Sequence, residues 1–266
     1  MTKLAGLLVT ALVAPAALVA PAALVAPAAL VAPAKAGAQS PNPPKSGIEF
    51  QSADVRALQA DDFANPGMLW VTRGEALWAS CSSCHGDAAR SMRGVAASYP
   101  KHSSELGAVV NLEQRINACV TRHEKRPALA WESEALLALT AYVARQSQGM
   151  PIAVSASGPA APVLARGREL YFERQGQLNL ACTQCHDANW GRTLLAEKIS
   201  QGHPADWPAY RLEWQSLGSL QRRLRACYFG VRAELPAFGS PDLVALELYL
   251  VTRAGGLPLS PPGVRR

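Results

Sequence analysis

The chain contains 266 residues and six cysteines, with a formal net charge of +6 at pH 7. This length suits two domains of about a hundred residues each with short additional segments. The charge does not indicate a nucleic-acid-binding protein, because basic residues are scattered along the chain. The densest cluster, Arg222, Arg223 and Arg225, lies beside Cys227 and on no nucleic-acid motif, so a small anion suits it better.

Residues 1–38 differ in composition from the rest of the chain and form an apolar stretch with a regularly recurring Ala-Pro pair. Repeated prolines would break the hydrogen-bond ladder of a membrane-spanning helix. Lys3 and the small residues around positions 36 and 38 are instead typical of a signal peptide and its cleavage site. We therefore expect export to the periplasm and no membrane span in the mature protein.

The next segments are described by composition and periodicity. Residues 39–66 are rich in Pro, Ser and Asp, and we expect an N-terminal extension that lies over the first domain or stays mobile. Residues 74–78 predict a short helix. Residues 134–145 predict a longer helix with an apolar face, for which Ser133 is the N-cap. A linker rich in Gly, Pro, Ser and Ala is expected at residues 151–163.

Two copies of the motif CxxCH carry the clearest chemistry in the sequence. In such a motif, the two thiols take up the vinyl groups of a haem and the histidine binds its iron. The residues are Cys81, Cys84 and His85 in the first copy, and Cys182, Cys185 and His186 in the second. The sequence therefore predicts two covalently bound c-type haems.

An internal repeat surrounds these motifs. Residues 112–119 align without gaps with residues 220–227, and Ser133 with its following helix aligns with Ser240 and a second helix. Little of the sequence predicts strands, so we expect a mainly α fold of two tandem cytochrome c-like domains. The predicted segments are the signal peptide 1–38, the extension 39–66, a first domain 67–150, the linker 151–163, a second domain 164–257 and a tail 258–266.

Each haem iron needs a second axial ligand. The second unit lacks methionine, whereas Cys119 and Cys227 occupy equivalent positions after the two motifs, and thiolate is an accepted haem ligand. Three alternatives stay open: a disulfide between these cysteines, ligation of the first haem by His123, and zinc binding by the motifs. We expect Arg115 to pair with a haem propionate and His203 to lie on the surface.

With these residues in place, the chain closely resembles SoxA, the diheme cytochrome c subunit of the L-cysteine S-thiosulfotransferase of sulfur-oxidising bacteria. The resemblance covers residues 45–256 and is most specific in residues 222–234 and 240–250. It implies oxidative coupling of thiosulfate to a cysteine thiol of the carrier protein SoxYZ, with electrons passing through haem to a c-type cytochrome acceptor. It also implies a heterodimer with SoxX, a smaller cytochrome c.

The resemblance also implies roles for single residues. Cys227 would be both the axial ligand of the second haem and the active cysteine, present as a persulfide. Arg223 would bind the substrate anion, for which a guanidinium offers a forked donor. From its equivalent position in the repeat, we assign Cys119 to the first haem as its axial ligand. The different function that stays open is electron transfer by a diheme cytochrome c without a bond-making step. Arg222 and Arg225 favour the enzyme, because they are expected to concentrate positive charge around Cys227.

Overall fold

The computed structural model describes residues 43–266. The predicted signal peptide, its cleavage sites and the start of the extension lie outside the described residues. The described part is mainly helical, as predicted, with ten α-helices and seven strands of two or three residues. None of its helices has the length and apolar character that crossing a membrane requires.

The elements follow one another in two similar series. The α-helices are α1 Ala53–Ala60, α2 Met68–Leu77, α3 Ala79–His85, α4 Ala88–Ser91, α5 Leu112–Arg122, α6 Glu134–Arg145, α7 Ala161–Phe172, α8 Cys182–His186, α9 Leu220–Gly230 and α10 Pro241–Arg253. The strands are β1 Lys101–Ser103, β2 Ala108–Val110, β3 Thr193–Leu194, β4 Glu197–Lys198, β5 Ala209–Arg211, β6 Ser216–Gly218 and β7 Gly263–Arg265. Short 3-10 helices lie at Gly47–Phe50, Ala96–Ser98 and Gly158–Ala160.

We call residues 67–150 the first half and residues 164–257 the second half. The last helix of each half, α6 or α10, begins at a serine whose side chain satisfies an otherwise free backbone amide. Ser133 Oγ accepts from the amide of Leu136 at 3.3 Å, and Ser240 Oγ accepts from that of Leu243 at 3.4 Å. The predicted N-cap Ser133 is therefore confirmed, and Ser240, which aligns with it, is an N-cap as well. Helix α7 begins at Ala161, within the segment expected to be a linker.

In each half the first long helix crosses the last at a glycine. Gly74 of α2 lies against the backbone of Ala138 in α6, and Gly167 of α7 lies against that of Ala245 in α10. A Cβ atom at either glycine would overlap the facing carbonyl oxygen. The crossing is therefore too close for any residue larger than glycine. It also places the CxxCH motif, which follows the first long helix of each half, beside the last helix.

Each half contributes a hairpin that packs on the other half. Strands β1 and β2 pair antiparallel, as do β5 and β6. Val109 of the first hairpin shares a buried cluster with Val244 of α10. Tyr210 and Leu217 of the second hairpin share another with Leu137 of α6. Each hairpin thus packs its apolar side chains on a helix of the other half. This packing stabilises the hairpins, because isolated two-stranded hairpins are only marginally stable in water.

The two ends of the described chain meet at the second hairpin. Residues 258–266, expected to be a tail, contain β7, which pairs parallel with β5 and is buried along its length. The extension joins the same region, because Ser46 Oγ donates to Asp206 at 2.6 Å and Gln59 donates to Ser260 Oγ at 2.9 Å. Most of the hydrogen bonds that it makes through side chains are thus to residues after position 200, whereas we expected it to lie over the first domain or stay mobile.

Candidate active site

The second CxxCH motif forms helix α8, and its histidine is fixed by the loop that follows. His186 Nδ1 lies 2.8 Å from the carbonyl oxygen of Ser200. A carbonyl only accepts, so Nδ1 carries the proton and Nε2 keeps a lone pair for a metal. Gly202 packs against the ring, and a Cβ there would lie 3.1 Å from His186 Cγ. His186 is therefore oriented as a metal-binding histidine is.

Helix α9 brings Cys227 to this histidine. The sulfur of Cys227 lies near His186, and it is close enough to Cys182 and Cys185 to raise the pKa of each. Burial raises the pKa of Cys227, but the charge of Arg223, the neighbouring His186 and the charge of Arg211 outweigh it and lower the pKa to about 7. This thiol is thus the one in the described chain that is poised to be a thiolate near neutral pH.

Arg223 lies on the same helix, one turn before Cys227. The two stabilise each other's charged forms, since the sulfur is the largest cause of the raised pKa of Arg223. No carboxylate lies within ion-pair distance of Arg223 in the described part of the chain, because Glu197 and Glu213 are paired with Arg211 instead. Its charge is therefore available to an anion at the sulfur of Cys227.

Arg211 is a residue of this site that the sequence did not reveal. It lies on β5 and is 4% exposed, and its Nη2 is 2.8 Å from Glu197 and 2.7 Å from Glu213. Its Nε has no hydrogen-bond partner within residues 43–266. The aligned position of the first half is Ser103, so a comparison of the two repeats over the hairpins would have singled out this arginine.

The other two arginines of the basic cluster do not serve the sulfur directly. The guanidinium of Arg222 stacks over the ring of Trp214 at 4.1 Å from its centroid, and that of Arg225 stacks over Phe238 at 4.4 Å. Cation–aromatic stacking fixes both side chains on neighbouring surfaces. Our expectation that these two arginines concentrate charge at Cys227 is wrong, and the second positive charge that acts there comes from β5.

The first CxxCH motif has a different environment. Cys84 and His85 are exposed on α3, and Cys84 lies close enough to Cys119 on α5 to contribute to the raised pKa of Cys119. Burial raises the pKa of Cys119, and nearby glutamates add to the effect against the charge of Arg115. Arg115 is paired with Glu105 at 2.5 Å, where we expected a haem propionate. The structure brings each cysteine to its own motif.

The alternatives for these cysteines find little support. All six cysteines are free thiols, and Cys119 and Cys227 lie beside different motifs. His123 is exposed at the end of α5, with Nε2 3.7 Å from Glu105. Between residues 43 and 266, no three side chains among His, Cys, Asp and Glu are grouped as a zinc site needs.

His203, expected on the surface, is 8% exposed, and its Nδ1 lies 2.9 Å from the carbonyl oxygen of Lys45.

The second site has the donor set that a c-type haem requires. Two free thiols lie three residues apart on α8, the histidine after them has a free Nε2, and the free thiol of Cys227 on α9 lies nearby. The residues of the first site are the same in kind, with an exposed histidine whose ring centroid lies 5.8 Å from that of Trp78. Both sets of residues therefore fit a haem.

Comparison with known proteins agrees with this donor set. Residues 67–152 match the family model described as SoxA/TsdA, cytochrome c domain. The chain is 39% identical over 230 residues to the L-cysteine S-thiosulfotransferase subunit SoxA of Pseudaminobacter salicylatoxidans, a match that covers 83% of this chain and 80% of that protein. It is 38% identical over 229 residues to the subunit of the same name from Rhodovulum sulfidophilum, with the same coverage of 83% and 80%.

A solved structure gives the same result. The crystal structure of SoxXA from P. pantotrophus matches with a TM-score of 0.81 at 35% identity, covering 84% of this chain and 87% of that one. The helical fold and the cytochrome c domain define a c-type cytochrome, whose cofactor is c-type haem. Identity and coverage against its relatives show further that the chain belongs to the SoxA family.

Proposed function

We propose that this chain is the haem subunit of a periplasmic L-cysteine S-thiosulfotransferase that couples thiosulfate to a cysteine thiol of a SoxYZ carrier protein. The names of its relatives support the activity, and the SoxXA title supports a heterodimer with a SoxX-like cytochrome c. In the overall reaction one sulfur–sulfur bond forms, the carrier thiol loses a proton, and two electrons leave to a c-type cytochrome acceptor. The leader-like residues 1–38 support the periplasmic location.

We also propose two covalently bound haems, one in each of two related cytochrome c units. The equivalent glycine crossings of α2 with α6 and of α7 with α10 support the repeat. The proposed attachment sites are Cys81, Cys84, Cys182 and Cys185, and the proposed axial ligands are His85 with Cys119 and His186 with Cys227. The free thiols and the two motif histidines support this assignment.

One observation carries the enzyme proposal: the sulfur of Cys227 lies beside His186, and Arg223 helps to lower its pKa to about 7. A plain electron carrier needs no activated sulfur next to an unpaired arginine. A transferase does, because the sulfur must react and the arginine must hold a sulfonate group beside it. The substrate anion would take the guanidinium face that no carboxylate of the described chain occupies.

We expect Cys227 to carry an extra sulfur as a persulfide, whose terminal sulfur reacts. Thiosulfate, bound through its oxygens to Arg223, forms a sulfur–sulfur bond to that sulfur as two electrons leave. The bound haem supplies the electron acceptor for this step. A carrier thiolate then attacks the sulfane sulfur of the bound thiosulfate, forming the carrier–thiosulfate bond and releasing the Cys227 persulfide. Atoms and electrons balance, since only two electrons and the carrier proton are released.

The direct experiment is a turnover assay with thiosulfate, purified carrier protein, the partner cytochrome and an oxidised c-type acceptor. We expect acceptor reduction in proportion to carrier modification, measured as added mass on the carrier cysteine. Acceptor reduction without carrier modification would contradict the enzyme proposal and would support the plain electron-transfer cytochrome.

A further inference from the structure

Two acidic residues are buried together where the halves meet. Glu113 near the start of α5 is 8% exposed, and Glu247 in the middle of α10 is 3% exposed. Asn111 Nδ2 donates to Glu247 Oε2 at 3.0 Å. Neither carboxyl group has an arginine, lysine or histidine within ion-pair distance in the described chain, although twelve such pairs are found elsewhere in it. Buried carboxyl groups without a cation are uncommon, because desolvation penalises the charged form.

The same place contains a cavity and an unpartnered hydroxyl. A cavity of about 90 Å³ is lined by Asn111, Glu113, Thr140 and Glu247. Thr140 is 2% exposed, and its Oγ1 has no hydrogen-bond partner among residues 43–266. This volume is large enough for water molecules that could connect the hydroxyl and the carboxyl groups.

Aligning the two halves shows that neither acid has an acidic counterpart in the other half. Glu113 aligns with Gln221, which is fully buried on α9, and Glu247 aligns with Thr140 on α6. Each carboxyl group thus occupies a position where the other half has a neutral polar side chain. The fold itself accepts neutral residues at these positions, so packing alone does not require two acids.

Electrostatics favours a proton at this junction. Burial raises the pKa of Glu113 to about 7, with a further contribution from Glu132, and it raises the pKa of Glu247, with a further contribution from Glu113. The other titratable or charged groups facing the region are Tyr99, which lines the cavity, and Arg222, which acts on Glu132. Within residues 43–266, no positive charge therefore lies within ion-pair distance of either carboxyl group.

We propose that Glu113 and Glu247 form a proton-binding site at the junction of the two halves, holding one shared proton and taking up a second from water when a haem is reduced. Glu113 precedes Cys119 by six residues on α5, and Gln221 precedes Cys227 by six on α9. Six residues correspond to about 9 Å of helix rise. In the coupled step, the pair would gain one proton for each electron that thiosulfate coupling delivers to a bound haem. Only this coupling rests on the haem sites of the proposed function.

The first test measures unfolding of the haem-loaded protein against pH. A carboxyl group whose pKa is raised in the fold stabilises the protein below its unfolded pKa, and that contribution is lost as pH rises through the folded value. We expect the unfolding constant to rise by up to about tenfold per pH unit between about pH 5 and about pH 7. The double variant Glu113→Gln/Glu247→Gln should lose this dependence, whereas the exposed control Glu134→Gln should keep it. Equal slopes in all three proteins would overturn the proposal.

The second test does not depend on the variants folding. Infrared difference spectra between oxidised and reduced wild-type protein, in water and in heavy water, should show a protonated carboxyl band that shifts on deuteration. The midpoint potential should fall as pH rises around neutrality. A spectrum without such a band and a pH-independent potential would overturn the coupling. The result of this test does not depend on turnover. A protein that shows the band but does not modify the carrier would contradict only the proposed function.

Discussion

The two halves carry the same arginine–cysteine pair in opposite electrostatic states. Arg115 and Arg223 both precede a cysteine by four residues on equivalent helices. Arg115 is bound to Glu105, and burial leaves Cys119 with a raised pKa. No carboxylate of the described chain is paired with Arg223, and the pKa of Cys227 falls to about 7.

Under the proposed function, this difference explains why only one of two similar halves would react with thiosulfate. The helices, caps and glycine crossings are alike in both halves. What differs is the pairing of charges: Glu105 neutralises the arginine of the first half, whereas Glu197 and Glu213 in the second half are engaged by Arg211. The second half therefore has the cysteine with the lowered pKa, although the helix that carries it is equivalent to the helix that carries Cys119.

The largest effect is expected from the cysteines themselves. Cys227→Ser should reduce carrier modification by at least about a hundredfold, because the reacting sulfur is lost. Cys119→Ser should change the spectrum of the first haem while keeping substantial activity. Turnover and the visible spectrum of both purified variants check this comparison. Similar losses in the two variants would show that the halves are functionally equivalent.

A smaller effect is expected from the arginines. Arg223→Ala should lower kcat/KM for thiosulfate by roughly ten- to a hundredfold, since a charged hydrogen bond contributes about 1.5 to 3 kcal/mol. Arg223→Lys should restore only part of this, because lysine lacks the planar fork. Arg115→Ala is the matched control and should lose little. If Arg115→Ala loses as much as Arg223→Ala, both arginines merely support the haems.

The smallest effect is expected from Arg211→Ser, which gives β5 the residue that β1 has at Ser103. It should lower kcat/KM by about tenfold, because one charge that favours the Cys227 thiolate is removed, and cost about 1 to 3 kcal/mol in unfolding free energy, because Glu197 loses its partner. Glu213→Gln, a change at an exposed carboxylate, should cost less than about 1 kcal/mol. Kinetics and urea unfolding give both values, and an unchanged kcat/KM would remove Arg211 from the site.

Local signals predicted the parts of the structure that depend on neighbouring residues. The caps at Ser133 and Ser240 follow from short-range hydrogen bonding, and the approach of Cys227 to its motif follows from the repeat. The exchange of hairpins and the pairing of β7 with β5 depend on contacts far apart in sequence, so periodicity does not reveal them.

The dependence on contacts far apart in sequence also explains the residues whose surroundings were predicted wrongly. His203 is polar and lies in a loop, yet the extension covers it through the carbonyl of Lys45. Arg222 and Arg225 lie near Cys227 in sequence, but the aromatic partners that hold them come from other segments. Arg211 lies on a strand too short to predict from the sequence. Its pairing with Glu197 and Glu213 becomes visible only in the three-dimensional structure.

The most direct test of the proposed asymmetry is peptide mass spectrometry of the non-reduced protein. We predict an additional sulfur on a fraction of the peptide containing Cys227 and none on the peptide containing Cys119, because only the former cysteine has a lowered pKa. Extra sulfur on both peptides, or a Cys119–Cys227 crosslinked peptide, would contradict the claim that the second half alone carries the reactive sulfur.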